Sequence, residues 1–272
     1  MAGRGRGRGR GIALPETRPG ETSGDLKPAK IQSEETKQPI PEPKLYDFEE
    51  LCGEFKVLKV TSSQDEVKDL VQKAKDSTKT DENFSQIIEI LYQNVFKDNE
   101  TAEIAAQVGS QLSSLEGIGG KFRSCLLKRA QDHYKNRENL SKDSLSEWTG
   151  LLSLLCEIFR VLKISGQPFK PLAGPISEMM GEILLNVDDG VKIECFYQNF
   201  KNVGKMLQAI DKTKMEFLMC KIRDSIISEQ SNPETRCMLI ELLELHASNW
   251  ILNQDVQRFY CDAMADILAL QG

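Results

Sequence analysis

The stretch SLSEWTGLLSLLCEIFRVLKI, Ser144 to Ile164, decides the fold. Its core, LLSLLCEIFRVL, is apolar nearly all round, which marks a helix buried on both sides. It is too short to span a bilayer and carries Glu157 and Arg160, so the apolar neighbours it requires are other segments of the chain and not lipid.

Working outward, those neighbours are amphipathic, with apolar residues recurring at three and four. On the N-terminal side, SSQDEVKDLVQKAKDS opens on serine caps, with acids in its first turn. DENFSQIIEILYQNVF lines up Phe84, Ile87, Ile88, Leu91 and Val95, and NETAEIAAQVGSQLSSL packs through small residues before the break EGIGG. KFRSCLLKRAQDHYKNRENL then sets Phe122, Cys125, Leu126 and Ala130 on one face and bases on the other. On the C-terminal side follow GPISEMMGEILLN, with Pro175 at a plausible first helical position, VKIECFYQNFKNVGKMLQAI, DKTKMEFLMCKIRDSIISE, NPETRCMLIELLELHASNW and DVQRFYCDAMADILAL. No strand is required. Ten helices on short loops fold back on their predecessors. Taken in pairs they begin near 62, 99, 143, 190 and 234, the period of stacked two-helix repeats of the HEAT type. The expected fold is all-α, an α-solenoid of about five antiparallel hairpins spanning 62–272.

Composition agrees. The 272 residues are 40% apolar and 28% charged, enough for a core beneath a wet surface. Residues 1–11 hold four arginines and no acid, leaving 31 basic against 41 acidic side chains elsewhere. A basic tip thus precedes an acidic body, which argues against nucleic-acid binding by bulk charge on the folded part. The seven cysteines, at 52, 125, 156, 195, 220, 237 and 261, form no CxxC pair and sit mostly among large apolar residues. They read as reduced, buried thiols in a reducing compartment. With no apolar run near the start that resembles a secretory signal, the expectation is a cytoplasmic protein, with the nucleus also open, in which the sequons at Asn99 and Asn139 have no glycosylation role.

Residues 1–45 combine Arg-Gly repeats with Pro, Glu, Lys, Ser and Thr and offer little to bury, the composition of a disordered tail. In GRGRGRGRG, Arg4, Arg6, Arg8 and Arg10 alternate with glycine. Each guanidinium can reach a phosphate or stack on a base, giving sequence-tolerant, salt-sensitive RNA contact. The same arginines are candidates for methylation, which keeps the charge and removes donors. The alternative is a merely solubilising tail.

Equipment for catalysis is sparse. The two histidines, His133 and His246, belong to no nucleophile or zinc signature. GIGGK, 117–121, lacks the spacing of a phosphate loop and follows a helix. Asp188 and Asp189 sit in an ordinary turn, NVDDG. No enzyme, metal or cofactor is expected.

The segment LLELHASNW, 242–250, together with KFRSCLLKRAQDHY and WTGLLSLLCEIFRVLKI, resembles the middle domain of the eukaryotic translation initiation factor 4G family. The likeness is greatest to its small poly(A)-binding-protein-interacting and stem-loop-binding-protein-interacting members, and covers about residues 60–270. The resemblance implies a HEAT-like adaptor that contacts initiation factors, such as the helicase subunit or factor three, or mRNA-bound proteins. In the physical reading, Trp250 caps the last hairpin's core, its indole N–H reaching a loop carbonyl, while Ala247 and Ser248 admit a neighbouring helix.

YDFEELCGEF, 46–55, resembles the peptide with which factor 4G grips the cap-binding protein, through Tyr46, Leu51 and Cys52 at the anchoring positions. Cys52 departs from the larger residue usual there and would bury less area. The alternative for 46–61 is a short linker helix packed on the first hairpin through Phe48, Leu51 and Phe55. The bases Lys121, Arg123, Lys128 and Arg129, continued by Lys135 and Arg137, stand out from the acidic body. They form either a solvated, salt-bridged face or a dock for an acidic peptide or RNA. The reading is a cytoplasmic translation adaptor without catalysis. Its rival is an RNA-granule or germline-type protein recruited through methylated Arg-Gly repeats.

Overall fold

The computed structural model describes residues 47–78 and 80–270, all within one compact unit, 43–272. Twelve α-helices account for most of the described residues: α1 Phe48–Lys56, α2 Gln64–Ser77, α3 Asp81–Lys97, α4 Ala102–Ser114, α5 Gly119–Lys135, α6 Arg137–Asp143, α7 Leu145–Val161, α8 Ala173–Ile183, α9 Gly190–Ile210, α10 Lys212–Ile227, α11 Pro233–Ala247 and α12 Gln254–Ala269. Local chemistry fixes where many of them start. Ser63 caps α2 in a reciprocal box with Glu66. Thr80, Ser144, Asp189, Asp211, Asn232 and Asn253 each accept an amide of the first turn that follows, and each such cap contributes about 1 kcal/mol.

The helices form two rows, as expected of a solenoid. In one, α2 packs on α4, α4 on α7, α7 on α9 and α9 on α11; in the other, α3 packs on α5 and α8 on α10. Helix α7 touches α3, α4, α5, α6, α8 and α9. Trp148, Leu151, Leu152, Leu154, Leu155, Ile158 and Phe159 are all buried along it, each contributing about 2 kcal/mol relative to exposure. Gly150 permits a close approach: a Cβ there would lie 2.8 Å from Asn99 Oδ1 and 3.0 Å from the Val95 carbonyl oxygen. Beside it, Asn99 Nδ2 donates to Thr149 Oγ1 at 2.7 Å.

Four details depart from the periodic reading. The helix expected across 121–140 breaks at Asn136, whose amide bonds back to Asp132 and His133, so α6 starts as a separate turn. Strand pairing, not expected at all, occurs once among the described residues: β1 Lys163–Ile164 and β2 Gln167–Pro168 form an antiparallel ladder. Ser165 and Gly166, both at positive φ, make its two-residue turn. Helix α1 packs on α2 and α3, as the linker-helix alternative for 46–61 has it, so the helical body begins before residue 62. Cys220 and Cys261 are exposed and Cys125 and Cys195 half-buried, so only Cys52, Cys156 and Cys237 are buried as small hydrophobes.

Candidate functional site

The contact rows leave a groove where α5 and α8 diverge. Leu127, Ala130 and Tyr134 of α5 form one wall, Leu155 of α7 the floor, and Phe169 and Leu172 part of the other wall. The cavity measures about 600 Å³, within the range of sites that enclose a ligand group. The β1–β2 turn reverses the chain ahead of Phe169, and a 3₁₀ turn, Lys170–Leu172, leads from it into α8.

The far end of the groove is tied by polar contacts. The Tyr134 hydroxyl donates to the Glu178 carboxylate on α8; burial, and then that carboxylate, push its pKa up to about 12. The Arg137 guanidinium lies 4.3 Å from the Tyr134 ring centroid and donates from Nε to Glu182 at 3.0 Å. On the rim stand Ser124, Lys128, Gln131 and Lys135, and no carboxylate lines the cavity. Lys128 and Lys135 are exposed and make no ion pair among the described residues. An apolar trough with a cationic rim suits a ligand that presents apolar anchors beside acids.

The residues singled out from sequence fall in different places. Arg4, Arg6, Arg8, Arg10 and Tyr46 lie outside the described residues. Leu51 and Cys52 are only 1% and 3% exposed, buried with Phe55 in the core beneath α1. Asn94 Nδ2 of α3 donates to the Phe55 carbonyl at 2.8 Å and Lys73 of α2 pairs with Glu54 at 2.9 Å, which pins the helix. These two side chains are therefore occupied by the chain's own core, and a partner could take them only if α1 came away. Of the bases on α5, Lys128 borders the groove. Lys121 is exposed and Arg123 half-buried, both outside the lining. Arg129 turns to the other side and pairs with Glu89 of α3. Leu127, Tyr134, Leu155 and Phe169 were missed as a group because each reads singly as core; only helix packing brings them together.

The histidines serve packing. His133 stacks on Tyr92 with centroids 4.7 Å apart and meets Phe96 edge-on; burial, with the Arg129 charge, lowers its pKa. His246 meets Trp250 edge-on, and burial, with the Arg223 charge, lowers its pKa as well. The ending LLELHASNW is a Schellman stop: the Trp250 amide donates to the Leu245 carbonyl at 2.7 Å and the Asn249 amide to that of His246 at 3.1 Å. Asn249 and Trp250 take positive φ, 58° and 67°, which turns the indole back toward α9. There it packs against Phe200 and over Gly204, where a Cβ would overlap the ring. The indole N–H reaches the side-chain carbonyl of Gln208 instead of a loop carbonyl, and Gly204, not Ala247 or Ser248, provides the close approach. Among the described residues no cluster of three His, Cys, Asp or Glu side chains could hold a metal, and no helix is long and apolar enough to cross a membrane.

Stacked helix pairs with a groove open between hairpins define a helical-repeat scaffold of the kind that holds other chains. Its relatives are MIF4G domain-containing proteins and a translation initiation factor, in keeping with the likeness to the 4G middle domain. The chain is 29% identical over 181 residues to the CBP80/20-dependent translation initiation factor of Xenopus tropicalis, a match covering 65% of this chain and 31% of that protein. To MIF4G domain-containing protein A of Danio rerio it is 28% identical over 151 residues, covering 53% of this chain and 68% of the relative. To protein B of the same fish it is 29% identical over 161 residues, covering 57% and 72%. No family model matches the chain.

Proposed function

We propose that this chain is a non-catalytic adaptor in the control of mRNA translation, and that its α5–α8 groove holds a linear acidic–apolar segment of an initiation factor or of an mRNA-bound protein. The observation that carries this reading is the groove itself: about 600 Å³, walled by Leu127, Tyr134, Phe169 and Leu172, rimmed by Lys128 and Lys135 and free of carboxylates, in a chain whose overall charge is negative. An extended or helical peptide buries its anchors in the trough and sets its acids against the lysines. The tail supplies RNA contact through Arg4, Arg6, Arg8 and Arg10, subject to arginine methylation, and the protein works in the cytoplasm. The relatives named for the MIF4G domain and for translation initiation support the process.

Affinity purification of the full chain, with and without nuclease, tests the proposal. Translation factors should remain after nuclease treatment with the native chain and be lost with Lys128→Glu combined with Lys135→Glu. An unchanged set of partners for that variant would refute the groove. Loss of every partner on nuclease treatment would favour recruitment to RNA granules through the Arg-Gly tail.

A further inference from the structure

The last hairpin leaves a second groove, with different lining and opposite charge. It measures about 970 Å³ and lies between α9, α11 and α12. Its apolar surface comes from Met238, Leu245, Trp250, Ile251, Met264 and Leu268, of which Ile251 is 69% and Leu268 52% exposed. Tyr260 is the single buried residue along α12. Among the charged lining residues are Glu194, Glu234, Glu241 and Lys201. The lysine is neutralised locally, since its ammonium donates to Glu241 at 2.9 Å. Glu194 and Glu234 have no ion pair among the described residues. The surrounding hairpin shares the bias: α11 and α12 carry six acids and two arginines.

We propose that this groove is a second docking site, specific for a basic amphipathic helix of a protein partner. Apolar anchors of such a helix would cover Ile251, Met264 and Leu268 while its lysines or arginines meet Glu194 and Glu234. A nucleic acid is disfavoured, because its phosphates would face uncompensated carboxylates. The trough is preformed: the Schellman stop and the Gln208 hydrogen bond fix Trp250 in its wall, so little ordering is left for binding to supply. None of its lining residues borders the α5–α8 groove, so either site can fail without the other.

The test uses the full chain with methyl-labelled methionine and two synthetic probes, a short amphipathic peptide of Leu and Lys at helical spacing and its counterpart with Glu for Lys. The Leu/Lys peptide should shift the Met238 and Met264 methyl resonances, leave those of buried Met179 and Met180 in place, and bind more weakly as salt rises. Glu194→Lys with Glu234→Lys should weaken it at least about tenfold, and Leu268→Asp should abolish it without loss of the fold. Equal binding of the Leu/Glu peptide at Met238 and Met264, or an affinity indifferent to the charge reversal, would overturn the proposal. So would sedimentation showing a self-associated native chain that Leu268→Asp turns into a monomer, since a second copy would then be the occupant.

Discussion

The α5–α8 groove and the α9–α11–α12 groove are built by the same repeat geometry and differ in almost everything a ligand would feel. Helix α5 sets Lys128 and Lys135 on the rim of the first; α9 and α11 set Glu194, Glu234 and Glu241 on the second, where the lone Lys201 is held by Glu241. The first has its floor on the central helix, through Leu155. The second leans on the terminal hairpin and on one aromatic ring held in an unusual backbone conformation. A solenoid of near-equivalent hairpins can thus carry unlike sites, because each groove takes its charge from the outer faces of its own helices while the inner faces stay generic.

The largest expected effect separates the two by stability. Gly204→Val would place branched carbon where the Trp250 ring lies, forcing the indole out at a cost of about 3 kcal/mol. Urea denaturation should show that loss, and the Leu/Lys peptide should no longer bind, while the Leu/Glu peptide still finds the first groove. Leu155→Ala is the converse. It opens the floor of the first groove at a cost of about 3 kcal/mol and should weaken the Leu/Glu peptide without touching the second site, as titration calorimetry on both probes can verify.

Smaller effects concern charge alone. Lys128→Glu with Lys135→Glu should change stability by no more than about 0.5 kcal/mol, yet lower the affinity of the Leu/Glu peptide at least about tenfold. Anisotropy titrations at low and high salt should show the native preference fading as screening rises. Smallest is the effect of pH. His133 and His246 have folded-state pKa values below the ordinary 6.5, chiefly through burial, so the unfolded chain binds more protons than the folded one as pH falls through that value. Stability from both is fully present above pH 6.5 and declines toward their folded pKa values. A urea midpoint that falls on acidification, and falls less in His246→Gln, is the expected result.

Much of the fold was legible because helical periodicity is local. The stripe Phe84, Ile87, Ile88, Leu91 and Val95 is buried as its spacing requires, and the all-round apolar stretch became the helix that touches both rows. The packed linker helix is one of two readings of LYDFEELCGEFK, and the burial of Leu51 and Phe55 under α1, held by Asn94 and Lys73, bears it out. What escaped was set by tertiary contact. The break at Asn136 needs only one turn to slip. Lys128 and Arg129 are neighbours with equal charge in the sequence, yet one stands at a groove and the other pairs with Glu89. Helix phase decides that difference, and charge counting is blind to it. The grooves themselves could not be read, because Leu127, Leu155, Phe169 and Leu172 converge from separate elements. In the second, Trp250 was recognised as architectural while the surface beside it was not.

The two tryptophans divide the molecule into an internal control and a sensor. Trp148 is only 2% exposed on the central helix, so its emission reports that the scaffold is intact. Trp250 forms part of the wall of the terminal trough, with its indole nitrogen bonded to Gln208, and its emission responds to whatever enters. Without any attached dye, one spectrum of the native chain therefore distinguishes an occupied trough from a damaged stack.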